Sequence, residues 1–233
     1  LAINRDEAVQ MINSAKSSGV HLMVGHLLQY HPVFEELKKM VEGEKLGDLK
    51  YIYSNRLSLG KVRSVEDVIW SFAPHDISMI LALAGCSPTT VRAESAAILQ
   101  QGIADIATLH LEFESGLRGR ISVSWLNPEK EQKLVVIGET GMAVFDDTEC
   151  WEKKLSFYRY EVDLAVDNPS IQSEKVEYVV IPRAEPLLQE CKYFLDLIAG
   201  IVPPKTDGEE GLRVLDVLAA STLSQVDRNA VRL

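Results

Sequence analysis

Apolar and polar residues alternate through the middle of the chain, between residues 106 and 125. In the first half of this region every second residue is apolar, namely Ala107, Leu109, Leu111 and Phe113. After the turn signal Ser115-Gly116 the alternation returns with Ile121, Val123 and Trp125. Because side chains of a strand point alternately to its two faces, this pattern predicts a β-hairpin with one buried face. Further strand-like runs, at 49–57, 134–137, 142–145, 155–162 and 176–181, predict a meander of antiparallel strands.

Helical spacing of apolar residues marks the segments on either side of this region. It predicts helices over 5–18, 32–42, 74–84, 187–199 and 210–225. Asn4 followed by Glu7 is a capping-box signal at the start of the first helix, and Gly19 stands where a helix C-cap belongs. The apolar run 20–24 comes next and predicts a short buried strand, so that helix and strand form half of a β-α-β unit.

The fold class predicted from these elements is α+β. A predominantly antiparallel sheet is covered by helices and is preceded by a helix-strand remnant of an α/β domain. We place the boundary so that residues 1–30 belong to the remnant and residues 31–233 to the second domain. The chain starts at Leu1, directly before a helix signal, and we therefore expect it to be a piece of a longer protein.

Composition narrows the class of protein further. The chain has 233 residues, 46% of them hydrophobic, and 24 Lys and Arg against 34 Asp and Glu give a net charge of −10. This acidic balance argues against binding to nucleic acid or to an anionic membrane surface. The longest uncharged apolar stretch is interrupted by Gly85 and Pro88 and is too short to span a bilayer. Three cysteines without a CxxC pair favour a reducing, cytoplasmic location.

The segment from Trp70 to Asp76 contains the strongest candidate for chemistry, His75. In a helix that begins at Pro74, His75 lies in the first turn and nearly opposite the apolar stripe that contains Ile77. The positive end of the helix dipole disfavours a protonated imidazole there, which leaves a neutral ring able to exchange a proton. From local spacing alone, a surface or N-capping histidine is the alternative interpretation.

A second polar cluster directly follows the predicted strand 20–24. His26, Gln29, Tyr30 and His31 lie in a loop of the kind that binds ligands at the carboxyl ends of strands. Two histidines five residues apart bring no third ligand, so we predict no metal site. The alternative interpretation is a turn whose polar side chains only satisfy backbone groups.

Basic residues before the His75 segment suggest a contact for an anionic group. Arg56 has the better geometry for a phosphate or carboxylate, and Lys61 and Arg63 follow it, although a solvated loop explains these charges equally well. Gly138-Glu139-Thr140-Gly141 is followed by strand character and is a hairpin turn. Since the sequence contains no GxGxxG or GxxxxGK[ST] motif, no residue of the chain is predicted to bind a cofactor.

Taken in order, these segments resemble the Gfo/Idh/MocA family of NAD(P)-dependent sugar oxidoreductases over essentially the whole chain. The resemblance is carried by Gly25-His26, Tyr30-His31-Pro32, Lys45-Leu46-Gly47-Asp48-Leu49, Pro74-His75-Asp76 and the strands that follow. The chain is similar to the part that begins directly after the family's glutamate-lysine-proline motif. Most of the Rossmann domain and the catalytic lysine would then lie upstream of Leu1.

The resemblance implies a two-domain enzyme that uses NAD or NADP, with His75 as the catalytic histidine. It also implies a sheet domain that contacts a sugar or nucleotide-sugar substrate and forms a homo-oligomer. Where many members have an aspartate four residues before the histidine, this chain has Ser71, and Asp76 follows the histidine instead. We place Ser71 and Asp76 with His26, Gln29, Tyr30 and Arg56 among the substrate-binding residues.

Two hypotheses of function remain open on the sequence. In the first, the chain is the substrate-binding part of an NAD(P)-dependent sugar or nucleotide-sugar dehydrogenase and is inactive by itself. Short strings around Trp70 and Ser124-Trp125-Leu126 are most similar to members that act on nucleotide-linked amino sugars. In the second, it is a cofactor-free binding or scaffold module derived from the same family.

Overall fold

A long, mostly antiparallel sheet organises the chain. The computed structural model describes residues 1–60, 62–163 and 170–233, and Lys61 lies outside them. Within these residues the sheet has ten strands: β1 (Leu49–Leu59), β2 (Thr90–Ala96), β3 (Ile106–Glu112), β4 (Arg118–Ser124), β5 (Leu126–Gly138), β6 (Gly141–Asp146), β7 (Leu155–Asp163), β8 (Ser170–Ser173), β9 (Glu177–Tyr178) and β10 (Val231–Arg232). Their spatial order is β10-β2-β3-β4-β1-β5-β6-β7-β8, with β9 also paired to β7. The predicted α+β class is confirmed.

The strand order differs from a simple meander at one place. β1 lies between β4 and β5, parallel to β4 and antiparallel to β5. The predicted hairpin of β3 and β4 is confirmed, with Leu109 opposite Ile121. The short strands β2, β8 and β10 were not predicted, and the run at 176–181 contributes only the two residues of β9.

Pro128 lies within strand β5. β5 continues through Pro128 because the pairing with β1 contains a register shift, in which Leu57 faces Glu131 and Leu59 faces Leu126. A bulge of this kind tolerates proline, since residues within it donate no ladder hydrogen bond.

Five α-helices lie within the described residues: α1 (Arg5–Ser18), α2 (Pro32–Glu42), α3 (Val68–Ala84), α4 (Pro186–Ile198) and α5 (Gly208–Asp227). The predicted cap of α1 is confirmed, because the Asn4 side chain accepts from the Glu7 amide and Gly19 ends the helix with φ 64°. Asp207 caps α5 in the same way through the Glu210 amide. The part of the chain that the structure describes contains no helix long and apolar enough to cross a membrane.

Helix α3 begins six residues earlier than predicted. Asp67 caps it by accepting from the Trp70 amide, and Val68 and Ile69 extend its buried stripe upstream of Pro74. Pro74 therefore lies inside the helix, and His75 is in its third turn. The prediction that His75 sits at the positive end of the helix dipole is wrong.

The hydrophobic core lies between one face of the sheet and helices α2, α3 and α5. Leu109, Ile121 and Val123 from the sheet pack with Ile77 and Ile80 from α3. The opposite face carries exposed polar residues at the β2–β4 end, His110 among them. This inner, apolar face positions α3, and with it His75, over strand β1.

The predicted buried strand 20–24 is also wrong. Residues 20–24 make a single bridge, from Met23 to Asp207, and Val20 is 60% exposed. A strand needs a neighbouring strand to satisfy its backbone, and none lies beside this segment within the described residues. Helix α1 packs on α5 instead, through Ala8 and Ile12. The division into domains at residue 30 stays a prediction.

A substitution of Gly138, at the end of β5, tests how tightly the β5–β6 turn packs. A Cβ atom there would overlap the backbone carbonyl of Leu46, and backbone cannot move aside as a side chain can. We expect Gly138→Ala to lower the free energy of unfolding by about 1–3 kcal/mol in urea denaturation. Gly25→Ala is the control, since its Cβ would meet nothing nearer than 3.9 Å. Equal stability of the two variants would contradict this packing.

Candidate active site

A buried carboxylate holds together three segments that are distant in sequence. Glu210, in the first turn of α5, makes a 2.6 Å hydrogen bond through Oε2 to Nδ1 of His26. Its Oε1 accepts from Gln29 Nε2 at 2.8 Å and from Ser78 Oγ at 2.7 Å. The loop after residue 25, helix α3 and helix α5 therefore meet at one carboxylate.

His75 lies next to this network. Its ring is 6.4 Å from the ring of His26, measured between centroids, and the planes are nearly perpendicular at 80°. His75 Nδ1 is buried and has no hydrogen-bond partner within the described residues. Burial, and secondarily the charge of Arg56, lower the pKa of His75 to about 4, although Asp76 acts in the opposite direction. The neutral imidazole expected from the sequence thus has a different cause from the one proposed there.

Arg56 and Asp76 form an ion pair close to His75. Arg56 Nε donates to Asp76 Oδ2 at 2.6 Å and a second guanidinium nitrogen donates to Oδ1 at 3.3 Å, while Ser54 Oγ also donates to Oδ1. The residues come from β1 and α3, whose packing brings them together. Asp76 is therefore the anionic partner of Arg56, and it already uses two hydrogen-bond donors of the guanidinium.

Tyr30 lies away from the histidines, in the packing between the 26–31 loop and α4. Its hydroxyl bonds Thr206 Oγ1 at 2.7 Å, its ring contacts Tyr193, and Lys205 lies 4.5 Å above it. Burial raises the pKa of Tyr30 to about 12. In its present position Tyr30 supports the loop rather than facing His75.

His31 and Ser71 lie on two different helices, His31 at the N-terminus of α2 and Ser71 within α3. His31 caps α2 by accepting from the Val33 amide and stacks on Trp151, and burial lowers its pKa to about 4. Ser71 is half-buried on α3, one turn before His75. Among the described residues, no three His, Cys, Asp or Glu side chains converge on a position that could hold a metal ion.

Sequence reasoning missed Glu210, Ser78 and Glu190. Glu210 makes contacts to Gln29 and His26 that span more than 180 residues of sequence. Glu190, on α4, is buried, and its Oε1 has no hydrogen-bond partner in the part of the chain that the structure describes; burial raises its pKa although His26 acts against this. In the sequence, the only local signal is a glutamate on the helix face that is buried in the fold. The periodicity of apolar residues does not mark such a position.

This arrangement can perform proton transfer beside a polar ligand. A neutral, half-buried imidazole can accept a proton, and a carboxylate and a guanidinium adjust its basicity from nearby.

Comparison with known proteins agrees with the family resemblance seen in the sequence. Residues 34–144 match the family model described as the GFO/IDH/MocA C-terminal domain. This match agrees with the resemblance of the sequence to the Gfo/Idh/MocA family.

Two curated relatives are dehydrogenases. The chain is 27% identical over 214 residues to the UDP-N-acetylglucosamine 3-dehydrogenase of Acidithiobacillus ferrooxidans, covering 91% of this chain and 65% of the relative. It is 27% identical over 164 residues to the trans-1,2-dihydrobenzene-1,2-diol dehydrogenase of Sus scrofa, covering 65% and 47%. The chain thus spans less than two thirds of the length of these relatives.

Solved structures agree on the fold. The UDP-N-acetylglucosamine 3-dehydrogenase GnnA from Acidithiobacillus ferrooxidans superposes with a TM-score of 0.81 at 25% identity, covering 96% of this chain and 68% of that one. The WlbA dehydrogenase from Bordetella pertussis, in complex with NADH and UDP-GlcNAcA, gives a TM-score of 0.74 at 19% identity over 100% and 69%. At that identity the second likeness shows the fold alone.

The titration of His75 tests the electrostatics of the site. Because its pKa in the folded chain is about 4 against 6.5 for an ordinary histidine, the unfolded chain binds more protons between these pH values. Stability attributable to His75 is therefore full above pH 6.5 and falls as the pH drops toward 4. We expect NMR titration to give a midpoint near 4, and Arg56→Gln to raise it because a nearby positive charge is removed.

Arg63→Gln is the control for this titration, since Arg63 is exposed and pairs with Glu66. It should leave the His75 midpoint unchanged. A parental midpoint near 6.5, or equal effects of the two arginine variants, would contradict the electrostatic description.

Proposed function

We propose that this chain is the substrate-binding part of an NAD(P)-dependent dehydrogenase that oxidises a hydroxyl carbon of a sugar or nucleotide sugar. The observation that carries the proposal is His75, a neutral and half-buried imidazole beside the Arg56–Asp76 pair, whose Nδ1 has no hydrogen-bond partner among the residues that the structure describes. Proton removal from an alcohol requires such a base. The similarity to a UDP-N-acetylglucosamine 3-dehydrogenase over 91% of the chain supports a nucleotide sugar as the substrate.

The described residues do not fit the phosphates of a dinucleotide. α1 and α5 begin with capping side chains, Asn4 and Asp207, and carry acidic residues in their first turns. A glycine-rich loop in front of a helix, which would present free amides to a diphosphate, is not found among them. We therefore assign no residue of this chain to NAD or NADP, and the proposal concerns the complete enzyme.

The role of His75 is to take the hydroxyl proton. In the complete enzyme, a bound nicotinamide would accept the hydride that leaves the same carbon. As the hydroxyl loses its proton to an imidazole nitrogen, His75 becomes an imidazolium, and the carboxylate of Asp76 stabilises that charge. Ser71, one turn earlier, can orient a hydroxyl but cannot act as a carboxylate base.

His75→Ala tests this role in the complete enzyme. We expect kcat to fall by about 10²–10⁴, the range for loss of a general base, with little change in nucleotide affinity. His110→Ala is the matched control, because His110 is exposed on β3, and it should cost almost nothing. Near-parental turnover of both variants with saturating substrate and cofactor would show that His75 is a structural residue and would refute the catalytic assignment.

We also propose that the outer face of the sheet joins copies of the complete enzyme. Its centre carries an apolar and aromatic group of half-buried or buried residues, the outer patch: Tyr51, Tyr53, Val135, Ile137, Met142, Val144 and Tyr158. Strand pairing places these side chains on one surface, opposite the core. A contiguous apolar surface of this kind is typical of a protein interface.

The exposed free thiols Cys86, Cys150 and Cys191 are consistent with the cytoplasmic location that we propose.

Ile137→Lys tests the outer patch. A charge at the centre of a buried interface should convert the oligomer to monomer in analytical ultracentrifugation, because it would be desolvated without a partner. Ile98→Lys is the control, since Ile98 is exposed in a loop away from the patch. A parental protein that is monomeric at every accessible concentration would contradict the proposal.

A further inference from the structure

We propose that His26 and Glu210 are positioning residues, which fix the orientation of the His75 imidazole through a hydrogen-bonded pair that touches it edge to face. The inference rests on the proposed function, because it concerns the proton acceptor of the same site. Neither residue is proposed to touch the reacting atoms.

The first step is that Glu210 does not act as an ordinary capping residue. A glutamate in the third position of a helix normally turns back to the N-cap backbone. Here Asp207 accepts from the Glu210 amide at 2.9 Å, but the Glu210 carboxylate points inward to His26. Both side chains are almost fully buried, at 8% exposure for His26 and 6% for Glu210. A buried carboxylate of this kind must be surrounded by donors.

The second step concerns the donors. Gln29 Nε2 donates to Glu210 Oε1 and, at 2.6 Å, to Ser78 Oγ, while Ser78 Oγ donates to the same Oε1. This closed triangle leaves Oε2 for His26. An ionised carboxylate only accepts hydrogen bonds, so the proton of the contact must be on Nδ1 of His26. The triangle therefore fixes both the tautomer and the ring plane of His26.

The third step links His26 to His75. The two rings meet at 80° with centroids 6.4 Å apart, a geometry in which the orientation of one limits that of the other. The charged and titratable groups that face His75 are Arg56 from β1, Asp76 from α3 and His26 from the loop. Glu210 from α5 and Glu190 from α4 face His26 in turn. His75 Nδ1 is buried without a hydrogen-bond partner within the described residues, so no hydrogen bond at that atom fixes the ring.

Glu210→Gln separates positioning from simple packing. The new amide keeps the shape of the side chain. Its oxygen should face the Gln29 and Ser78 donors, which places its NH₂ against His26 Nδ1. We expect ¹⁵N NMR of the full chain to show the His26 proton on Nδ1 in the parental protein and on Nε2 in E210Q. Glu209→Gln is the matched control, because Glu209 lies on the same turn, is exposed and pairs with Lys16.

Kinetics of the complete enzyme give the second readout, with UDP-N-acetylglucosamine and NAD as the probes. We expect E210Q to lower kcat by about tenfold or more with KM nearly unchanged, since a misaligned base slows the chemical step rather than binding. E209Q should behave as the parental enzyme. An unchanged His26 tautomer in E210Q, or parental kcat, overturns the inference.

A further variant keeps the inference testable where E210Q does not fold. His26→Asn retains a donor for Glu210 but removes the ring against His75. Because His26 and burial both lower the pKa of His75, its NMR titration midpoint should rise in H26N. An unchanged midpoint overturns the inference. If the complete enzyme oxidises no nucleotide sugar, the proposed function fails, whereas the two NMR results on the full chain still decide the contact between His26 and His75.

Discussion

Strand β1 must satisfy its backbone on both edges, and the rest of the domain is arranged around that requirement. It does so by pairing in parallel with β4 and antiparallel with β5. A parallel pair cannot be joined by a tight turn, so the chain leaves β1 through α3 and the β2–β3 strands before it returns as β4. The crossover lays α3 across β1. Ser54 and Arg56 on the inner face of β1 then meet Asp76 on α3, and His75 lies beside that pair.

Local patterns were enough for elements whose signals are themselves local. Helix α1 carried a cap at each end, and β3 and β4 alternated cleanly around a two-residue turn signal. Local patterns failed where the structure of a segment depends on the segments packed beside it. The apolar run 20–24 has strand composition but no neighbouring strand within the described residues. Pro74 resembles a helix start, but the true N-cap of the helix, Asp67, lies seven residues upstream.

The same distinction separates the parts of the candidate site. His75, Arg56 and Asp76 stand out from their residue types and from a family resemblance. Glu210 and Ser78 do not, because their importance comes from contacts that cross 132 to 184 positions of sequence. Burying a carboxylate carries a desolvation penalty, and surrounding donors must offset it. These donors are visible only after the chain has folded, so the site is assembled by packing rather than by a contiguous motif.

The two ends of the sheet have a consequence for how the protein behaves at high concentration. At one end β10 has two residues, and at the other β8 has four. An exposed strand edge is a template for uncontrolled pairing between chains, and short edge strands are one way in which natural sheets avoid fibrous aggregation. Within the described residues, β10 and β8 offer another chain few backbone groups of their own to pair with. Association is thereby directed to the faces of the sheet, where contacts depend on particular side chains and can be limited to a defined number of copies.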